Sequence, residues 1–145
     1  MLADYLDKKK IIINLDARDL RQALVQMLTL SDEQRPSKLV DGIMARESLM
    51  STVLGKGVAV PRIVIDGKRK TEVIIGLSKK GIDMKSIDRV PVRIVMLHLL
   101  ADSDDYASIL AQSLRLLNDE NLRNELHACT RREDIITTIR TWEEE

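Results

Sequence analysis

Few residues in this chain can do covalent or acid–base chemistry. There are two histidines, His98 and His127, and one cysteine, Cys129. The histidines lie far apart and, with a single thiol, give no metal-ligand spacing. Cys129 cannot form an internal disulfide and has no sequence neighbour to activate it. No Ser-His-Asp pattern, phosphate-binding Walker loop or dinucleotide fingerprint is present, and Gly55-Lys-Gly57 lacks P-loop spacing. One stretch does concentrate groups that handle anions: Arg46-Glu-Ser-Leu-Met-Ser-Thr-Val-Leu-Gly-Lys-Gly-Val-Ala-Val-Pro61-Arg62. Arg46 and Arg62 carry permanent charge in a planar fork suited to oxyanions. Ser51 and Thr52 offer hydroxyls, and Gly55 and Gly57 permit a tight turn whose amides could form an anion nest.

Each of these residues also has a plainer role. Arg62, after Pro61, reads as exposed at a turn tip, either charging a pocket or pairing with Glu47 or Asp66. Arg46 could cap the carbonyls of a helix. Ser51 and Thr52 could satisfy a loop backbone. The glycines could serve turn geometry alone. His98 falls in phase with Val92, Ile94, Met96 and Leu100 and reads as a hydrogen-bonded core residue. His127 sits late in a helix, where a cation is favoured.

The elements that must hold these groups follow from periodicity. Ile11–Ile13 is a strand, and Asp16 caps a helix with Leu20, Leu24, Met27 and Leu28 on one face. Pro36 opens a second helix carrying Leu39, Ile43 and Met44 and ending near Arg46–Leu49. Short strands at Val58–Val60 and Ile63–Ile65 flank Pro61. Asp66-Gly67 turns into a strand over Thr71–Leu77, and Lys79-Lys80-Gly81 turns again. Val92–Leu100 is the longest strand, apolar enough to be buried on both faces. Three helices close the chain: Asp104–Leu117, Asp119–Ala128, and one opened by the capping-box spacing of Thr130 and Glu133. This order implies an α/β fold, a mixed β-sheet flanked by helices, in a single domain over residues 1–145.

The chain's 145 residues carry 23 basic and 23 acidic side chains. No net field draws it to nucleic acid or an anionic membrane. Tyr5, Tyr106 and Trp142 are the only aromatics, too few for base-stacking platforms. No run approaches the ~20 apolar residues of a membrane span, and the start of the chain lacks a signal-peptide pattern. A cytoplasmic protein without a cofactor or bound metal is the expectation, free-standing because no linker is visible at its end. Lys8–Lys10 and Glu143–Glu145 read as solvated charge runs.

The Arg46–Arg62 stretch resembles the active-site segment of the mannitol/fructose IIA proteins of the bacterial sugar phosphotransferase system and of their nitrogen-regulatory relatives. Its Arg-Glu, Ser-Thr, Gly-x-Gly and Ala-x-Pro elements stand at the family's spacings. Gly76-Leu-Ser-Lys-Lys-Gly-Ile-Asp83, Pro91-Val92 and Val95–Leu100 resemble a second family segment, and the likeness covers nearly the whole chain. The family relays a phosphoryl group from a histidine-carrier protein, through a IIA histidine, to a transporter domain. The resemblance places Arg62 at the phosphoacceptor position, Tyr106 at a second histidine position, and Arg46 on the family's arginine.

Phosphoryl acceptance needs a nitrogen lone pair, which guanidinium lacks. The resemblance therefore implies a regulatory domain that binds a protein (the histidine carrier, a transporter or a kinase). Two other readings remain open: a carrier with its acceptor moved to His98, and a sensor in which Arg46 and Arg62 hold a small anion.

Overall fold

A computed structural model describes residues 1–102, 104 and 106–145. Two 3-10 turns, Leu2–Tyr5 and Lys8–Lys10, lead into β1 (Ile11–Ile12). There follow α1 (Leu20–Leu28), α2 (Pro36–Leu49), β2 (Val53–Gly55), β3 (Val58–Ala59) and β4 (Arg62–Ile65). Then come β5 (Glu72–Ile82), β6 (Val92–Ala101), α3 (Tyr106–Leu117), α4 (Glu120–Ala128) and α5 (Arg132–Glu144). The sheet is mixed, in the order β1-β5-β6-β3-β2, with β4 also on β6.

β6 is the axis of the molecule. Its residues alternate between two cores, as strand geometry requires. Ile94, Met96 and Leu100 face α3, α4 and α5, whereas Val95, Leu97 and Leu99 face α1 and α2. β3 and β4 lie end to end along the same edge of β6, both parallel to it. Pro61 separates them because it has no N–H to give the ladder, yet its carbonyl accepts from His98 N at 2.9 Å. The break leaves the register intact, and Arg62 is paired with His98.

Several local expectations are corrected. Asp19, not Asp16, caps α1, accepting from Gln22 N at 2.9 Å; the backbone of Asp16 is held by the Gln26 amide instead. Lys79-Lys80-Gly81 does not end β5. The strand runs on to Ile82 through an irregularity opposite Val92–Ile94. Gly81 has φ +83°, and a Cβ there would lie 2.5 Å from Pro91 Cβ, so both the backbone and the space require glycine. β5, at 11 residues, is therefore longer than β6, at 10. Val92 also falls out of phase with His98 and packs in the α1/α2 core. The Thr130 capping box does not form; α5 begins after Arg131, which pairs with Glu133 at 2.7 Å. Asp105, inside the expected third helix, lies outside the described residues.

The charged runs are partly structural. Lys10 Nζ reaches Glu72 at 2.6 Å, and Lys68 Nζ reaches the other oxygen at 2.7 Å. The Glu143 carboxylate accepts from Leu2 N and Ala3 N, at 2.9 and 2.8 Å, fastening α5 to the first turn.

Candidate anion site at the end of the second helix

The last turn of α2 is closed by Met50 N donating to Arg46 O at 3.0 Å. The Arg46 side chain is thus not needed as a cap and is left exposed. Below it, Glu47 is turned inward and accepts from both Thr52 N, at 2.9 Å, and Thr52 Oγ1. Ser51 Oγ accepts from Val53 N at 3.1 Å, which shapes its own loop. Thr52 O in turn accepts from Val60 N at 3.0 Å. These bonds fold the α2–β2 connection against the β3–β4 break.

A cavity of about 390 Å³ results. Arg46, Arg62, Ser51 and Thr52 line it, with Leu110 and Leu114 of α3 as its far wall. Four sequence-selected residues thus meet in one place. Arg62 is half-buried at the start of β4 rather than exposed at a turn tip. Its expected pairing with Glu47 or Asp66 does not form; among the described residues, neither Arg62 nor Arg46 is in an ion pair.

Gly55 and Gly57 are not part of this cavity. With Lys56 they make the β2–β3 turn, three successive residues at positive φ. The Lys56 amide is already occupied by Asp88 Oδ2 at 2.7 Å, so the turn's nest is filled from within. Tyr106 is 48% exposed at the first residue of α3 and does not line the cavity; Leu110, one turn on, does.

Neither histidine reaches the cavity. His98 is only 1% exposed. Its Nε2 lies 2.9 Å from Ser113 Oγ, which donates to Ile109 O at 3.0 Å. The Ser113 hydroxyl thus ties the ring to α3, while His98 Nδ1 is buried without a hydrogen-bond partner. Burial drives the His98 pKa from 6.5 down to about 4; the Pro61 and Met96 carbonyls oppose this, and the Arg62 charge adds to it. His98 is thus a neutral, enclosed imidazole. His127 lines a separate crevice with Arg93 and Cys129. Burial and the nearby Arg93 and Arg123 charges hold its pKa below the usual value, against the helix-end expectation.

The sequence reading missed the apolar rim. Leu49 is 88% exposed, Met50 75% and Leu54 49%, and all three edge the cavity. The available signal was the pair Leu49-Met50 at the end of a helix, off its buried stripe. Permanent positive charge beside an apolar rim can hold an oxyanion or an acidic side chain. Among the described residues no group of three His, Cys, Asp or Glu could hold a metal, and no helix is long and apolar enough to cross a membrane.

Residues 4–142 match the family described as phosphoenolpyruvate-dependent sugar phosphotransferase system, EIIA 2. The chain belongs to this EIIA family. It is 31% identical over 136 residues to a nitrogen regulatory protein of Bradyrhizobium diazoefficiens, covering 88% of this chain and 86% of that one. It is 26% identical over 146 residues to the fructose-specific EIIABC component of Bacillus subtilis, covering 95% of this chain. The EIIA chain spans only 23% of that longer relative. Its fold matches nitrogen regulatory protein IIA-Ntr of Neisseria meningitidis, with a TM-score of 0.83 at 18% identity, over 95% of this chain and 98% of that one. It also matches the Escherichia coli complex of enzyme IIAMTL and phosphorylated enzyme IIBMTL, with a TM-score of 0.76 at 19% identity, over 94% of this chain and 97% of that one.

Proposed function

We propose that this chain is a single regulatory EIIA domain, cytoplasmic and of the nitrogen-regulatory type, that does not carry phosphate. It acts by binding a protein partner through the Arg46–Arg62 cavity. The observation that carries the reading is the lining of the cavity: two unpaired arginines, two hydroxyl residues, and no histidine among the described residues. Arg62 stands where the family resemblance puts the phosphoacceptor, and burial of His98 speaks against a moved acceptor. The apolar rim fits a protein partner such as the histidine-carrier protein, a transporter domain or a kinase. The unpaired charges also favour a small anion in the same cavity.

The test is intact mass after incubation with phosphoenolpyruvate and the two general phosphotransferase proteins, at neutral to mildly basic pH. No added phosphoryl group is expected on the wild-type chain, beside an active EIIA control. A phosphoryl group on the wild type would overturn the reading. In parallel, sulfate or phosphate should raise the melting temperature of the wild type and not that of Arg62→Ala.

A further inference from the structure

One edge of the sheet is covered along half its length. β3 and β4 share a side of β6, but β2 pairs with β3 alone. Among the described residues, no strand lies on the outer side of Arg62–Ile65. Pro61 O accepts from His98 N. The main-chain groups of Pro61, Ile63 and Ile65 therefore face β6, and those of Arg62 and Val64 face outward, since the two directions alternate along a strand. The side chains reflect the missing neighbour. Ile63 and Ile65 belong to the α1/α2 core yet stay half-buried, and Val64, on the other face with Arg62, is 42% exposed.

The open position ends abruptly. Val60 N donates to Thr52 O at 3.0 Å, so beside Val60 the place is already taken by the residues leading into β2. A strand added beside β4 lies in line with β2 and cannot run past Arg62. One of its ends must stop at the cavity lined by Arg46, Arg62 and Ser51. Charge decides which end. A strand parallel to β4 would bring its terminal ammonium to two unpaired guanidinium groups. An antiparallel strand brings its terminal carboxylate, which the arginine fork suits. Glu47, the acid that also lines the cavity, is already bound by Thr52 N and Oγ1. Ser51 Oγ accepts from Val53 N and keeps its O–H to donate.

We infer that the β4 edge takes the C-terminal segment of a partner protein as an added antiparallel strand of about four residues. Its terminal carboxylate sits on Arg62 and Arg46. This rests on the reading that the cavity binds a protein, and it specifies which part of that protein enters. Cross-strand pairing places the side chains. The last residue stands opposite Arg62 on the cavity face, where Leu110 and Leu114 offer an apolar wall. The third residue from the end stands opposite Val64 on the same face. Both positions favour apolar side chains.

The experiment uses the full chain and a library of labelled hexapeptides with free C-termini, varied at the last and third-from-last positions. Members apolar at both positions should bind, and an amide in place of the terminal carboxylate should weaken binding about tenfold or more. Methylating the main-chain nitrogen of the third-from-last residue should weaken it similarly, because that N–H meets Val64 O. Hydrogen exchange followed by NMR should slow at the Arg62 and Val64 amides when peptide binds. Val64→Pro, a change that an outward-facing edge position tolerates, should abolish binding; should it fail to fold, the methylated peptide decides. No member binding below about 1 mM, equal binding by the amide, or indifference to methylation would overturn the inference. Binding that needs Arg62 but leaves both amides unprotected would overturn the added strand while the cavity reading stands. A phosphoryl group on the wild type would sink that reading and leave these measurements unchanged.

Discussion

Two charged regions of this domain solve opposite problems. Around Glu72, a carboxylate that is 8% exposed receives Lys10, Lys68, Ser31 Oγ at 2.9 Å and Asp32 N at 3.3 Å. Lys68 also reaches Glu33 at 2.7 Å. Every charge there has a partner, and the region ties β5 to the chain's first residues and the α1–α2 connection. Around Arg62 the cations have no partner, the one nearby acid, Glu47, is bound to Thr52, and apolar side chains stand exposed at the rim. Closed networks stabilise, whereas an open one is available to something else. The comparison teaches where to look for function: at the charges the fold leaves unsatisfied.

The largest expected effect lies in the closed region. Glu72→Ala strands Lys10 and Lys68, whose side chains are 14% and 8% exposed. A loss of about 3 kcal/mol in denaturant unfolding is expected, the lower end for a broken buried pair because Asp32 and Glu33 remain. A loss under about 1 kcal/mol would erase the distinction between the two regions.

Acid should sharpen it further. Burial pushes the Glu72 pKa up, but its hydrogen bonds outweigh this and bring it from 4.5 to about 2. A depressed carboxylate stabilises above its unfolded value, and that contribution fades as pH falls from 4.5 toward 2. His98 acts earlier. Its folded pKa of about 4 lies below the unfolded 6.5, so the unfolded chain binds the proton first and stability falls as pH drops from 6.5 to 4. His127 adds to this stage in the same sense. A pH series of unfolding curves should show both stages, the lower one missing in Glu72→Gln.

The smallest stability effect belongs to the open region. Arg62→Ala and Arg46→Ala should each change stability by no more than about 0.5 kcal/mol, since neither breaks a pair. A loss above about 1 kcal/mol in either would mean that the cavity is part of the scaffold after all.

The scaffold was largely legible in the sequence because it rests on periodicity. The apolar run of β6, the helical stripe of Leu20, Leu24, Met27 and Leu28, and Pro36 at a helix start all have short-range causes. What escaped depends on pairing across the chain. β2 looked like part of a glycine loop because its three residues become a strand only opposite β3. Gly81 looked like a turn, but Pro91 and the β6 bulge let the strand continue around it. Thr130 had capping-box spacing, yet the helix begins one residue later. At the site, Arg46, Ser51, Thr52 and Arg62 were legible as anion-handling types. Gly55 and Gly57, legible as either an anion nest or a plain turn, lie outside the cavity, and only the fold reveals that Asp88 reaches into their turn.

The Pro61 break has a wider consequence. The place of residue 62 is set by main-chain pairing to His98 and by the Pro61 carbonyl, not by anything the arginine side chain does. Its side chain is therefore interchangeable. A substitution there can alter the charge of the cavity while the strand framework stays as it is, which makes this edge of the sheet a socket whose frame does not depend on what it holds.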